Sequence, residues 1–167
     1  AAVEMEEIQM IFVLYGDVCT IPAILERIKA AEKKAMVHID LIAGLSAKEI
    51  SVEFIARQTR ADGIITTKPA LVRRAKELGI FAVLRFFVID SLALKNIENL
   101  EMQCGTSRPD FIEVLPGVMP KVLGRIAKVS RIPMIAGGLI TEKEDVIAAL
   151  SAGAIAVSST NQDVWKL

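Results

Sequence analysis

Aromatic residues are scarce, at 5% of the chain with one tryptophan and one tyrosine. Basic residues interleaved with aromatics, the pattern of a stacking platform for single-stranded RNA, are therefore missing. Two cysteines, Cys19 and Cys104, are too few for a disulfide framework. They read as reduced, partly buried thiols of a cytoplasmic protein. Charge of one sign is not in excess, with twenty Lys and Arg against twenty Asp and Glu. Net charge thus draws the chain toward neither nucleic acid nor acidic substrates, although a local basic face is not excluded. No apolar run reaches membrane-spanning length, and no basic-then-apolar leader opens the chain. Gly-x-Ser-x-Gly, the P-loop, Cys-x-x-Cys and His-Glu-x-x-His are all missing, and no nucleophile stands beside an evident base. A single histidine is thin support for a metal.

What is present is a regular alternation. With 167 residues, the chain suffices for one domain with a sizeable core, 1–167. Ala1-Ala2-Val3 reads as the tail of a first strand. Apolar runs at Met10–Leu14, Met36–Asp40, Asp62–Thr66, Ile80–Phe87, Phe111–Leu115, Pro133–Ala136 and Ile155–Ser158 read as strands 2 to 8. Helical patterns lie between them: Thr20 to about Lys33 with Pro22 in the first turn, Ser46 to Arg60, Pro69 to Gly79, Asp90 or Ser91 to about Met102, Met119–Val129, and one from Thr141. Ser46-x-x-Glu49 and Thr141-x-x-Glu144 have the spacing of capping boxes. All-apolar strands separated by helices are buried on both faces, as in parallel α/β sheets. Eight strands suggest a (β/α)8 barrel with strand 8 next to strand 1. The chain is shorter than the ~200 residues usual for closure, so a doubly wound open sheet is the alternative.

In parallel α/β folds, ligands sit at the carboxyl ends of the strands. The polar residues placed there are Asp17, His38, Asp40, Thr66, Thr67, Lys68, Arg85, Asp90, Glu113, Gly117, Gly137, Gly138, Ser158 and Ser159. The pair Gly137-Gly138 ends strand 7, and Ser158-Ser159-Thr160 ends strand 8. In barrels, the loops after strands 7 and 8 commonly hold phosphate, so a phosphate site is favoured over two plain turns. His38-Ile39-Asp40 places two polar side chains on one strand face. They could bind a metal, act as acid and base, or contact a hydroxylated ligand, or His38 could be a satisfied core histidine. Glu113, in an apolar strand, either reaches a ligand in the barrel mouth or pairs with Arg85 or Lys68. Arg85 suits a phosphate or a carboxylate. Basic clusters at Arg73, Arg74 and Lys76, and at Lys121, Arg125, Lys128 and Arg131, read first as solvated helix faces.

The runs F-V-L-Y-G-D, V-H-I-D-L-I-A-G-L, A-D-G-I-I-T-T-K-P, R-F-F-V-I-D-S-L-A-L, E-V-L-P-G-V-M-P-K and I-P-M-I-A-G-G-L-I-T, with the ending A-I-A-V-S-S-T-N, resemble the glycerol-3-phosphate-responsive antiterminator family. The resemblance covers Met10 to Trp165, with the family's first strand shortened. It implies a TIM-like (β/α)8 barrel, incomplete at strand 1 and used without catalysis. It also implies binding of glycerol 3-phosphate and then of leader mRNA from a glycerol uptake operon, preventing premature termination of transcription. Under this reading Gly117, Gly137, Gly138, Ser158 and Ser159 meet the phosphate, and His38, Asp40, Lys68, Arg85 and Glu113 supply polar contacts. Lys121, Arg125, Lys128, Arg73 and Arg74 are the RNA-binding candidates. No cofactor, metal or membrane is expected, the location is cytoplasmic, and a homo-oligomer is the candidate assembly. The competing class is a barrel enzyme on a small phosphorylated metabolite: an isomerase, aldolase or phosphodiesterase.

Overall fold

The computed structural model describes residues 2–100 and 108–167. They divide into two compact units, Ala1–Leu84 and Arg85–Leu167. The expected first strand is not formed: Ala2–Glu4 is a single 3-10 turn. Val3 is followed by three acidic residues within four positions, which gives a strand no apolar face to bury. The first strand that Ile155–Ser158 was expected to lie beside is thus not formed over Ala2–Glu4.

In the first unit the order is β1 (Met10–Val13), α1 (Ile21–Ala30), β2 (Lys34–His38), α2 (Glu49–Gln58), β3 (Gly63–Thr66), α3 (Pro69–Glu77) and the start of β4 (Phe81–Phe87). Pairing is parallel throughout, β1 to β2, β2 to β3 and β3 to β4. Three apolar helix faces supply Ile21, Leu25, Val52, Ile55, Leu71 and Val72, and the strands supply Met36, Val37, Ile64 and Ile65, all essentially buried. Each such side chain contributes about 1.5–3 kcal/mol by leaving water.

Helix ends follow local chemistry, not always the expected residues. Thr20 offers α1 no side-chain cap; Asp17 Oδ1 instead accepts from the Thr20 and Cys19 N–H groups. The capping box expected at Ser46 does not form, because Ser46 N–H donates to Ser51 Oγ, and Lys48 takes the capping position. Helix α3 stops at Gly79, whose φ of +74° suits glycine.

The second unit begins within β4 and continues through α4 (Ser91–Glu98), β5 (Phe111–Leu115), α5 (Pro120–Val129), β6 (Met134–Gly137), α6 (Lys143–Ser151) and β7 (Ala156–Ser158). β5 pairs β6 and β6 pairs β7, both parallel. Asp90 caps α4 as expected, its Oδ1 accepting from Ala93 N–H at 2.8 Å. The expected extension of that helix to Met102 falls outside the described residues. The capping box of α6 lies one residue beyond expectation, on Glu142 and Asp145. The Gly-Gly and Ser-Ser-Thr turns end the sixth and seventh strands among the described residues. No helix among them is long and apolar enough to cross a membrane. Cys19, expected to be partly buried, is exposed, and Cys104 lies outside the described residues.

Candidate functional site

In the second unit, three strands bring Arg85, Glu113 and Ser158 together. Strand alternation sets Glu113 on the opposite face from Ile112 and Val114. Glu113 is 1% exposed. A buried carboxylate is costly unless both oxygens find donors. Here both do: Arg85 Nε donates to Oε2 and Ser158 Oγ to Oε1, each at 2.6 Å. Of the two alternatives for Glu113, pairing with Arg85 is what the structure places. Lys68 belongs to the other unit, where it approaches Asp40.

The glycines close this corner. A Cβ on Gly137 would collide with Ser158 Oγ and come within 2.8 Å of Glu113 Oε1. A Cβ on Gly117 would lie 3.0 Å from Gly137 N, and Gly117 N–H donates to Gly138 O at 3.0 Å. These glycines thus let the turns after β5 and β6 touch. Gly138 has φ of +76°, and Leu139 follows at φ +62° with its side chain 71% exposed. A leucine in this left-handed region costs roughly 1–2 kcal/mol. Its N–H donates to no group among the described residues. Backbone N–H groups of turns can form anion-binding nests.

Ser159 supports that turn from the β7 side. Its hydroxyl donates to Ile140 O at 2.8 Å and accepts from Asn161 N–H at 3.0 Å. Asn161 Nδ2 donates to Thr141 O, and Trp165 Nε1 donates to Ser159 O at 2.7 Å. Leu139, Asn161 and Trp165 did not figure in the sequence reading. Asn161 closes the run S-S-T-N and was legible in kind; nothing in the sequence marks a leucine for positive φ.

In the first unit, the strand-face pairing of His38 and Asp40 is not observed. β2 ends at His38, and Asp40 sits in a 3-10 turn, Ile39–Leu41. The turn swings Asp40 Oδ2 onto the end of β3, where it accepts from Thr66 Oγ1 at 3.0 Å and Thr67 N–H at 2.9 Å. His38 is 3% exposed, its Nδ1 4.0 Å from Asp40 Oδ2. Lys68 Nζ stands 3.6 Å from Asp40 Oδ1. Asp17, at the end of the β1 loop, has its carboxyl held below the ordinary value, chiefly by the Thr20 backbone N–H.

The basic clusters differ from one another. Arg74 bridges Glu53 at 2.6 Å and Glu77 at 2.7 Å, and Arg73 lies 3.3 Å from Glu49. Arg125 is held by Glu98 at 2.8 Å. Lys121 and Lys128, on the same helix α5, are exposed and form no ion pair among the described residues. No group of three or more His, Cys, Asp or Glu side chains among those residues could hold a metal.

Comparison with known proteins adds what geometry does not. Residues 1–165 match the family described as glycerol-3-phosphate responsive antiterminator. The chain is 47% identical over 161 residues to the uncharacterized protein YgcP of Escherichia coli K12, covering 96% of this chain and 83% of that one. The crystal structure of a glycerol uptake operon antiterminator regulatory protein from Listeria monocytogenes aligns with TM-score 0.91 and 32% identity, over 98% of this chain and 86% of that one. An antiterminator-related protein from Thermotoga maritima MSB8 aligns with TM-score 0.85 and 35% identity, over 99% and 92%. Orotidine 5'-phosphate decarboxylase from Pyrococcus horikoshii aligns at TM-score 0.71 and 19% identity, over 99% and 83%, a likeness of fold alone. The fold class is thus TIM-barrel-like α/β, as expected.

Proposed function

The chain belongs to the glycerol-3-phosphate responsive antiterminator family, and we propose that it is a glycerol-3-phosphate-gated regulator that binds leader mRNA of a glycerol uptake operon. In this reading it prevents premature termination and does so in the cytoplasm, without catalysis. The observation that carries the ligand half is the turn Gly138-Leu139. Two successive positive-φ residues, one an exposed leucine, sit where Gly117 and Gly137 pack backbone against backbone. Strain of this kind persists where a function uses it. The phosphate is taken by the N–H groups of this turn, with Ser159 and Asn161 bracing it. Arg85, anchored through Nε on Glu113, presents the rest of its guanidinium as the nearby positive charge. The non-catalytic reading is supported by Glu113, whose two oxygens are both engaged, leaving it poorly disposed to act as a base.

The RNA half rests on α5. The turn carrying Gly117 leads directly into this helix, and Lys121 and Lys128 stand exposed on it. Ligand alters RNA affinity only by favouring one conformation over another, so ordering of the turn 115–120 is the step that re-aims α5. Titrating leader RNA with and without glycerol 3-phosphate tests the whole reading. Saturable, ligand-dependent and salt-sensitive binding is expected. Turnover of glycerol 3-phosphate or a triose phosphate, with RNA affinity indifferent to ligand, would replace this reading with an enzyme.

A further inference from the structure

The turn after β6 is held by its carbonyls. Gly138 O accepts from Gly117 N–H at 3.0 Å. Ile140 O accepts from the Ser159 hydroxyl at 2.8 Å, and Thr141 O from Asn161 Nδ2 at 3.0 Å. In a trans peptide the C=O of one residue and the N–H of the next point opposite ways. Fixing Gly138 O therefore fixes the direction of Leu139 N–H. Fixing Ile140 O and Thr141 O does the same for the N–H groups of Thr141 and Glu142, which both end on Asp145 Oδ2, at 3.0 and 3.2 Å. The N–H groups of Leu139 and Ile140 lie between these anchored peptides and donate to no group among the described residues.

The anchors on the β7 side come from one segment, which is folded on itself by three bonds. Asn161 N–H donates to Ser159 Oγ and Asp163 N–H to Asn161 Oδ1, both at 3.0 Å. Trp165 Nε1 donates to Ser159 O at 2.7 Å. The first two bonds are local turns. The third spans six residues and closes the segment on Ser159. The side-chain N–H of Trp165 is thus already engaged, and it reaches the turn only through Ser159. Leu139, at φ +62°, stays in the left-handed region only while its neighbours are held. We infer that Trp165 is a positioning residue for the phosphate: through Ser159 it keeps the turn in the conformation whose unengaged N–H groups take the anion. The inference rests on the phosphate reading and adds to it a residue that offers the anion no donor of its own. A turn held in its binding conformation only part of the time binds more weakly in proportion to that fraction. Loosening Trp165 therefore lowers affinity while every phosphate donor remains in place.

The test titrates the full chain with glycerol 3-phosphate and, separately, with inorganic phosphate. Trp165 is the single tryptophan, so its emission reports the link directly. In the wild type, emission should shift saturably with each probe, at the midpoint that calorimetry gives. Trp165→Phe keeps an apolar ring and loses only the N–H. It should weaken both probes by the same factor, about 3- to 10-fold, the worth of one neutral hydrogen bond. Asn161→Ala should weaken both at least as much. Melting followed by circular dichroism is read alongside, because a purely structural role would lower the melting temperature and leave the affinity of the folded protein unchanged. Equal affinity in the wild type and both variants overturns the inference and leaves the phosphate reading standing. A loss confined to glycerol 3-phosphate also overturns it, by placing the segment beside the glycerol part. Binding of neither probe by the wild type overturns the phosphate reading itself, and this inference with it.

Discussion

Glu113 is nearly inaccessible, yet it holds three strands together through Arg85 and Ser158. Removing one member of a buried pair strands the other charge, which typically costs about 3–5 kcal/mol. Glu113→Ala is therefore expected to lower unfolding free energy in urea by that amount. Arg85→Met with Glu113→Leu should recover much of it, because two apolar groups replace two charges. If Glu113→Ala melted like wild type, the bridge would be only a surface ornament. Gly138 presents a different constraint. Its φ is +76°, and a Cβ would come to 3.2 Å from Leu115 Cδ2. Gly138→Val should cost roughly 1–2 kcal/mol of stability from the backbone alone. It should also weaken glycerol 3-phosphate binding measured by calorimetry. A folded variant with unchanged affinity would remove the phosphate from this turn.

At the scale of elements, Asp62 joins α1 to β2. Its carboxylate accepts from Lys29 at 2.7 Å, Ala35 N–H at 2.8 Å and Lys34 at 3.1 Å. Burial alone would raise its pKa, but the bonds from Lys29, Ala35 and Lys34 outweigh that and hold it below the ordinary value. A carboxyl lowered by folding stabilises at every pH above its unfolded range. That contribution is lost as pH falls through the lowered value, because the unfolded chain then binds the proton more readily. Asp62→Asn should accordingly lose about 1–3 kcal/mol at neutral pH. The gap to wild type should narrow steadily below pH ~4. A gap independent of pH would show that geometry, not charge, ties these elements. Helix α5 allows a second prediction. Arg125 faces Glu98 on α4, so reversing it would disturb packing as well as charge. Lys121→Glu with Lys128→Glu is the cleaner change. It should weaken leader RNA and flatten the salt slope by about 0.7 per lost phosphate contact on a single strand, while leaving glycerol 3-phosphate affinity unaltered. Intact RNA affinity would move the RNA face off α5.

For the molecule as a whole, charge is the deciding quantity. Twenty basic and twenty acidic residues, with pI near 6.9, provide no general attraction to a polyanion. The arginines of the helix faces confirm the balance locally: Arg73, Arg74 and Arg125 each have an acidic partner. Under the proposed function, RNA affinity comes from few phosphate contacts. The dependence of log affinity on log salt should be shallow, about two to three contacts' worth. A steep slope, of the kind produced by eight or more contacts, would require a basic surface that the described residues do not provide.

Period and punctuation in the sequence determined the elements. Apolar runs of four to eight residues between helical patterns dictate parallel βα units, and Gly79, Asp90 and the strand at Phe111–Leu115 fall where local chemistry puts them. The glycine turn was legible too, because only glycine tolerates the approach that Gly117 and Gly137 make. What only the tertiary structure decided are the partners. Asp40 leaves its strand because Thr66 and Thr67, 26 and 27 residues on, offer donors to its carboxylate. The capping box at Ser46 fails because Ser51 competes for it. Glu113 turns inward because Arg85 and Ser158, 28 and 45 residues away, arrive beside the same strand. The arginines lose their freedom to acids on neighbouring helices. Periodicity reports which face of an element leaves water, an energy each residue carries with it. Pairing of buried polar groups depends on which distant donor reaches the same point, and that is set only when the chain has folded.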